Sequence, residues 1–235
     1  MPLAIHFLLF TLLLAPSAGS LAEAGSGDNA VRVVPVIEEP LHIVRYHSDR
    51  FLIYTNWIEP GTWTQYHEHR NDLLAVIVAD TSAASQALYS EPRMQSANAG
   101  TLVLFPYSDE SEPYVHRVGA TGDTTFINVG LEFLQPLAAS CHSNLSSWNE
   151  PHALSMDSTR RGRGYRLSLP AEAEVNLPQG GSALLLAPMS DGNLLLDRDS
   201  WSISVGGFRF FEENRPRLIK NRGPSEISLV VFQAC

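Results

Sequence analysis

The chain has 235 residues, 44% hydrophobic and 17% charged, which is ample apolar material for a packed core in one large domain or two small ones. Its formal net charge is −9, and its only basic cluster is Arg160, Arg161 and Arg163. That balance excludes nucleic acid as an expected partner, because neutralising phosphates needs a basic surface.

The first two dozen residues differ from the rest. Phe7–Pro16 reads FLLFTLLLAP, followed by the small residues of PSAGSLAEAG. An apolar run of this length before small residues at the −3 and −1 positions predicts a signal peptide over 1–24, removed on export. The run is too short to span a bilayer comfortably, so no membrane association is expected after cleavage, and the mature chain is expected to be secreted or periplasmic. An uncleaved anchor is the alternative. Residues 24–30 are polar and read as an irregular start to the mature chain.

From Val31 onward come short apolar runs rich in β-branched and aromatic residues: VRVVPVI (31–37), FLIYTNWI (51–58), LLAVIVA (73–79), TLVLFPY (101–107) and FINVGLEFL (126–134). Turn signals separate them at 59–61, 70–72, 98–100 and 121–123. Short strands at regular spacing, punctuated by Gly, Pro and Asn, predict an all-β sandwich or barrel over 33–135. Residues 136–160 are rich in Ser, Asn and His without a clear period and read as a linker. YRLSLP (165–170), ALLLAPM (183–189), NLLLD (193–197), WSISVGGFRFF (201–211) and ISLVVFQA (227–234) then predict a second β unit over 161–235. Export would permit Cys141 to pair with Cys235, with two free thiols as the alternative, and Asn144-Leu145-Ser146 is a glycosylation sequon if the source is eukaryotic.

The sharpest chemical signal is PGTWTQYHEHRND at 60–72. His67 and His69 are two apart, so on a strand both imidazoles share one face, expected to be the barrel interior together with Gln65. Two neutral imidazoles aimed at one point suit a divalent transition metal. His42, His47, His142 and His152 carry no such pattern and read as surface, turn or linker residues. No Gly-rich phosphate loop and no G-x-S-x-G is present, and neither cysteine sits in a nucleophile motif.

Gly61 precedes His67 by six residues, Gly100 precedes Pro106 by six, and His116 follows. In this order the chain resembles the cupin superfamily, with its G-x5-H-x-H and later G-x5-P…H motifs, over roughly residues 33–135. Within that superfamily, EEPLHIVRYHSDRFLIYTNWIEPGTWTQYHEHRND followed by VHRVGATGDTTFINVGLEFL looks like a group of exported bacterial cupins of unassigned function. The resemblance implies a double-stranded β-helix, or jelly-roll, barrel and a metal held by His67, His69 and His116. It implies Fe, Mn, Ni or Zn without choosing among them.

The usual motif Glu, four or five residues after the second His, is replaced here by Leu73 and Leu74. Asp72 is the nearest carboxylate and becomes the candidate fourth ligand if its turn folds inward; otherwise the site is three histidines plus water. The later half, with APMSDGNL at 187–194, resembles the degenerate second barrel of a bicupin, and no His occurs from Ala153 onward to make a second site.

These features imply a metalloenzyme of dioxygenase, isomerase or lyase type, acting on a small oxygenated molecule. The alternatives are a non-catalytic ligand- or metal-binding module and a structural protein with a vestigial site. The sequence assigns no catalytic residue. It leaves the oligomer open, a homodimer being compatible with it.

Overall fold

A computed structural model describes residues 31–136, 145, 147–213 and 215–235. The predicted leader, Cys141 with any bond it makes, and the Asn144 sequon lie outside the described residues.

Ten strands form the first half: β1 (Val33–Pro35), β2 (His42–His47), β3 (Phe51–Ile58), β4 (Tyr66–His69), β5 (Asp72–Ile77), β6 (Thr81–Ala87), β7 (Arg93–Ala97), β8 (Leu102–Phe105), β9 (Tyr114–Ala120) and β10 (Phe126–Phe133). Nine form the second: β11 (Ala153–Thr159), β12 (Gly162–Leu169), β13 (Glu174–Asn176), β14 (Ala183–Pro188), β15 (Gly192–Leu196), β16 (Asp199–Ile203), β17 (Arg209–Phe211), β18 (Leu218–Asn221) and β19 (Ile227–Ala234).

The first half is two facing five-stranded sheets, ordered β1-β4-β9-β6-β7 and β2-β3-β10-β5-β8. The second repeats the plan as β13-β18-β15-β16 and β11-β12-β19-β14-β17. Apart from β1, which has no counterpart among the described residues, each strand of one half occupies the place of a strand in the other. The tandem reading of the sequence is therefore an internal duplication of topology. The predicted linker is shorter than expected: 153–159 is a strand, paired to β12 from Ala153↔Leu167 to Thr159↔Gly162. Its apolar residues are interrupted by Ser155, Asp157 and Ser158 and form no run, so the hydrophobic pattern missed this strand.

The halves share a core. Strand β10 is buried along its whole length because it has work on both faces. Val129, Leu131 and Phe133 point outward with Phe51, Ile53, Leu74 and Val76, and meet Leu185, Val230 and Phe232 of the second half. Asn128, Gly130 and Glu132 alternate with them and face the interior of the first barrel. Gly130 is required there, because a Cβ would lie 2.5 Å from the Tyr54 ring, which crosses the strand at that point. At Gly100 the backbone is left-handed (φ +85°) and the Arg166 guanidinium of the second half fills the space a side chain would take.

Candidate metal centre

Strand β4 carries His67 and His69 two residues apart, and β9 lies antiparallel beside it with His116 directly opposite His67. All three side chains are buried, and one ligand nitrogen from each lies within 4.8 Å of the others. The sequence had joined these three residues; the fold brings them together.

Each imidazole is oriented through Nδ1. His67 donates to the carbonyl of Gln65 at 2.9 Å, and His69 Nδ1 meets Glu132 Oε1 at 2.6 Å. His116 Nδ1 meets Ser85 Oγ at 3.0 Å. With the Nδ1 positions engaged, Nε2 is the free donor of each ring. The Nε2 atoms of His69 and His116 face each other at 3.1 Å. That spacing fits two donors each about 2.1 Å from one ion. Burial pulls the His67 pKa down to about 3, with the neighbouring His69 adding to the effect, and His116 is held well below its ordinary value by burial and the adjacent histidines. His67 and His116 are thus neutral at ordinary pH, which is the form that ligates. The donor set fits a divalent transition metal.

Asp72 is not part of this group. It is the first residue of β5 rather than a turn residue, and its side chain points away from the histidines. Oδ1 accepts from Arg160 Nη2 at 2.5 Å and from Ser108 Oγ at 2.6 Å, and Oδ2 from Arg161 Nε at 2.6 Å. Burial alone would raise its pKa; the hydrogen bonds from Ser108, Arg160 and Arg161 more than offset this and hold it below the usual carboxylate range. Arg160 and Arg161 form the turn of the β11–β12 hairpin, so Asp72 locks the two halves together. The expectation of a fourth ligand at Asp72 is corrected: its carboxylate lies outside the histidine group and is held by two guanidinium groups of the second half.

Gln65 also departs from expectation. Its side chain is exposed, and it serves the site through its carbonyl, while Glu39 accepts its N–H at 2.9 Å. His42, read as a surface or turn residue, is buried with its ring 4.5 Å from that of His67 and stacked on Tyr54. It donates Nδ1–H to the Val36 carbonyl at 3.2 Å, and burial, then the nearby His67 and His69, hold it well below its ordinary pKa. His47 is exposed, as expected.

Glu132 is the residue that sequence reasoning missed. It is buried, buttresses His69, and its second oxygen accepts from Asn71 Nδ2 at 3.3 Å. The signal was present: a lone acidic residue at an inward position of FINVGLEFL. A carboxylate on the far nitrogen of a ligating imidazole fixes its orientation and raises its basicity.

The group opens onto a cavity of about 320 Å³ between the two sheets. Most of its wall is apolar, among it Ala75, Ile77, Val118 and Phe126, and no Lys, Arg, Asp or Glu lines it. Its exposed lining residues, Gln95 and Val103, lie on edge strands β7 and β8, so it meets solvent along that seam.

A two-barrel jelly roll with a buried histidine group inside one barrel is the cupin fold. Solved structures of similar architecture include AerE from Microcystis aeruginosa (TM-score 0.56, 12% identity, 82% of this chain and 90% of that one). Oxalate decarboxylase from Lactobacillus farciminis, solved as a formate complex, matches at TM-score 0.54 and 12% identity, covering 82% and 84%. Salicylate 1,2-dioxygenase from Pseudoaminobacter salicylatoxidans, solved with gentisate, matches at TM-score 0.54 and 11% identity, covering 80% and 69%. At such identities the likeness establishes the fold. No protein-family model matches the chain, and no curated protein matches it in sequence.

Proposed function

We propose that this chain is a metal-dependent cupin in which His67, His69 and His116 hold one divalent transition ion, and that it is an enzyme acting on a small oxygenated molecule admitted to the first barrel. The observation that carries the reading is the convergence of three buried imidazoles whose Nδ1 atoms are all engaged. When bound, the ion would supply Lewis-acid polarisation of an oxygen ligand. The protein's own residues do the rest. Glu132 and Ser85 fix two rings, Glu39 holds the Gln65 peptide that fixes the third, and the apolar wall limits water around the ligand. Structural relatives solved with gentisate and with formate support a small oxygenated substrate. Export, read from the first 24 residues, is part of the proposal; sequencing the mature amino terminus should place it near Glu23 or Gly25, and soluble protein retaining Met1 would refute it.

Metal per chain in the purified protein and in His67→Ala, His69→Ala and His116→Ala tests the site. The wild type should carry close to one equivalent and each variant almost none; equal content in all four would overturn the proposal. Metal-dependent O₂ consumption, isomerisation or lyase activity across diols, ketones and hydroxy acids then separates an enzyme from a binding module.

A further inference from the structure

Beyond His67, His69 and His116 the cavity is lined by three polar side chains whose oxygens have no hydrogen-bond partner. Asn56 (6% exposed), Asn128 (7%) and Thr81 (8%) all line it, and Asn56 Oδ1, Asn128 Oδ1 and Thr81 Oγ1 are buried without a hydrogen-bond partner. Asn56 and Asn128 are cross-strand neighbours on β3 and β10. Burying one such group unpaired costs about 1–3 kcal/mol, so three in one cavity need a reason.

The fold does not supply that reason, because the second half shows the fold without them. Strands β3 and β10 pair over eight residues, Phe126↔Ile58 to Phe133↔Phe51, and β12 and β19 pair over eight in the same places, Ile227↔Leu169 to Ala234↔Gly162. In that register Tyr54 corresponds to Tyr165, and the Asn56–Asn128 pair corresponds to Leu167–Leu229, buried in the apolar interior of the second barrel. The same backbone therefore accepts two leucines where the cavity has two amides.

We infer that Asn56, Asn128 and Thr81 form a ligand subsite, separate from the metal centre, that recognises an uncharged hydrogen-bonding group such as a hydroxyl. With no charged side chain in the wall, any charge on the ligand belongs at the metal end, and the far end is neutral. Asn128 lies four residues along β10 from Glu132, roughly 13 Å at about 3.3 Å per residue. The ligand class is accordingly a single-ring or similarly compact molecule with a chelating oxygen pair at one end, an apolar body, and a hydroxyl at the other. The chelating end rests on the proposed metal site; the amide subsite does not.

Two matched probe pairs test this. Metal-loaded protein is titrated with mandelate and 4-hydroxymandelate, which differ by one distal hydroxyl, and metal-stripped protein with toluene and phenol. The wild type should favour 4-hydroxymandelate by about tenfold, the worth of one good hydrogen bond, and phenol over toluene. Asn56→Leu/Asn128→Leu should lose both preferences while keeping its metal and a thermal midpoint at least as high. Thr81→Val, nearly isosteric, should lose part of each preference and keeps the test open if the double variant fails to fold. No preference in the wild type, unchanged preferences in the variants, or a lowered midpoint with preferences intact would overturn the subsite. A wild type that cannot be loaded with metal, yet prefers phenol to toluene, would sink the metal reading and leave the subsite standing.

Discussion

The two halves of this chain solve one topological problem with opposite interiors. In the second barrel the inward positions are Trp148, Tyr165, Leu167, Leu169, Leu184, Leu186, Leu229 and Val231, packed into a continuous apolar core. In the first, the matching strands point two amides, a glycine and a carboxylate inward, and a cavity remains. Even the histidine pair has an apolar counterpart: His67↔His116 on β4 and β9 matches Val175↔Ile219 on β13 and β18. The filled barrel buries an apolar interior of its own. The hollow one gives up burial for a cavity and leans its outer sheet on the filled one, so two copies of one plan have opposite interiors.

That contrast can be attacked from both sides. The largest effect is expected from making the filled barrel resemble the hollow one. Leu229→Asn removes a fully buried side chain and leaves an unpaired amide, a combined loss of about 4–6 kcal/mol, read by denaturant unfolding. A loss under 1 kcal/mol would mean that the second interior is not tightly packed.

Next comes the lock between the halves. Asp72 is fully buried and Arg161 nearly so. Asp72→Asn leaves a buried guanidinium without its counter-charge and should cost about 3–5 kcal/mol, with metal content unchanged. Loss of metal with little change in stability would return Asp72 to the ligand set.

Glu132→Gln should be milder. Gln233 stands at the corresponding place in the second half, so the fold tolerates the amide, but the charge behind His69 is lost. Metal affinity should fall about 10- to 100-fold with unfolding nearly unchanged, as competition with a chelator would show.

The smallest effect is the pH dependence of the metal-free protein. His67 has its folded pKa lowered to about 3 against an unfolded value near 6.5. Below about pH 6.5 the unfolded chain binds the extra proton, so stability is full above that value and is lost as pH falls towards 3. His67 alone should account for about 0.7 kcal/mol between pH 7 and pH 6. His67→Leu should flatten the profile, and an unchanged slope would show that the ring is not held neutral.

Much of this was legible in the residues. His67 and His69 declare a shared face by their spacing, and the Gly and Pro positions around them announce the barrel and the third histidine. Three things were hidden for physical reasons. Asp72 stands beside the histidine motif in sequence, yet its partners are 88 and 89 residues away, and distance along the chain carries no sign of an ion pair. His42 has no patterned neighbour; only pairing with Asn56 on β3 turns it inward. Glu132 and Asn128 sit in a run so apolar that it reads as plain core, because a strand buried on both faces loses the alternation that would flag its inward side.

The strand β19 has a consequence for the order of events during synthesis. It is the centre of its sheet, pairing with both β12 and β14, and its Val230, Phe232 and Ala234 also press on the outer sheet of the first barrel. The histidine-bearing strands are complete by Phe133, but the apolar face behind them has no cover until residues 227–234 have been made. For nearly a hundred residues of translation, the first barrel is a finished pocket with an unfinished back. A ribosome stalled anywhere in that interval would present a sticky, half-covered sheet, and a chaperone or a translocation channel that keeps the chain extended would have its greatest effect there.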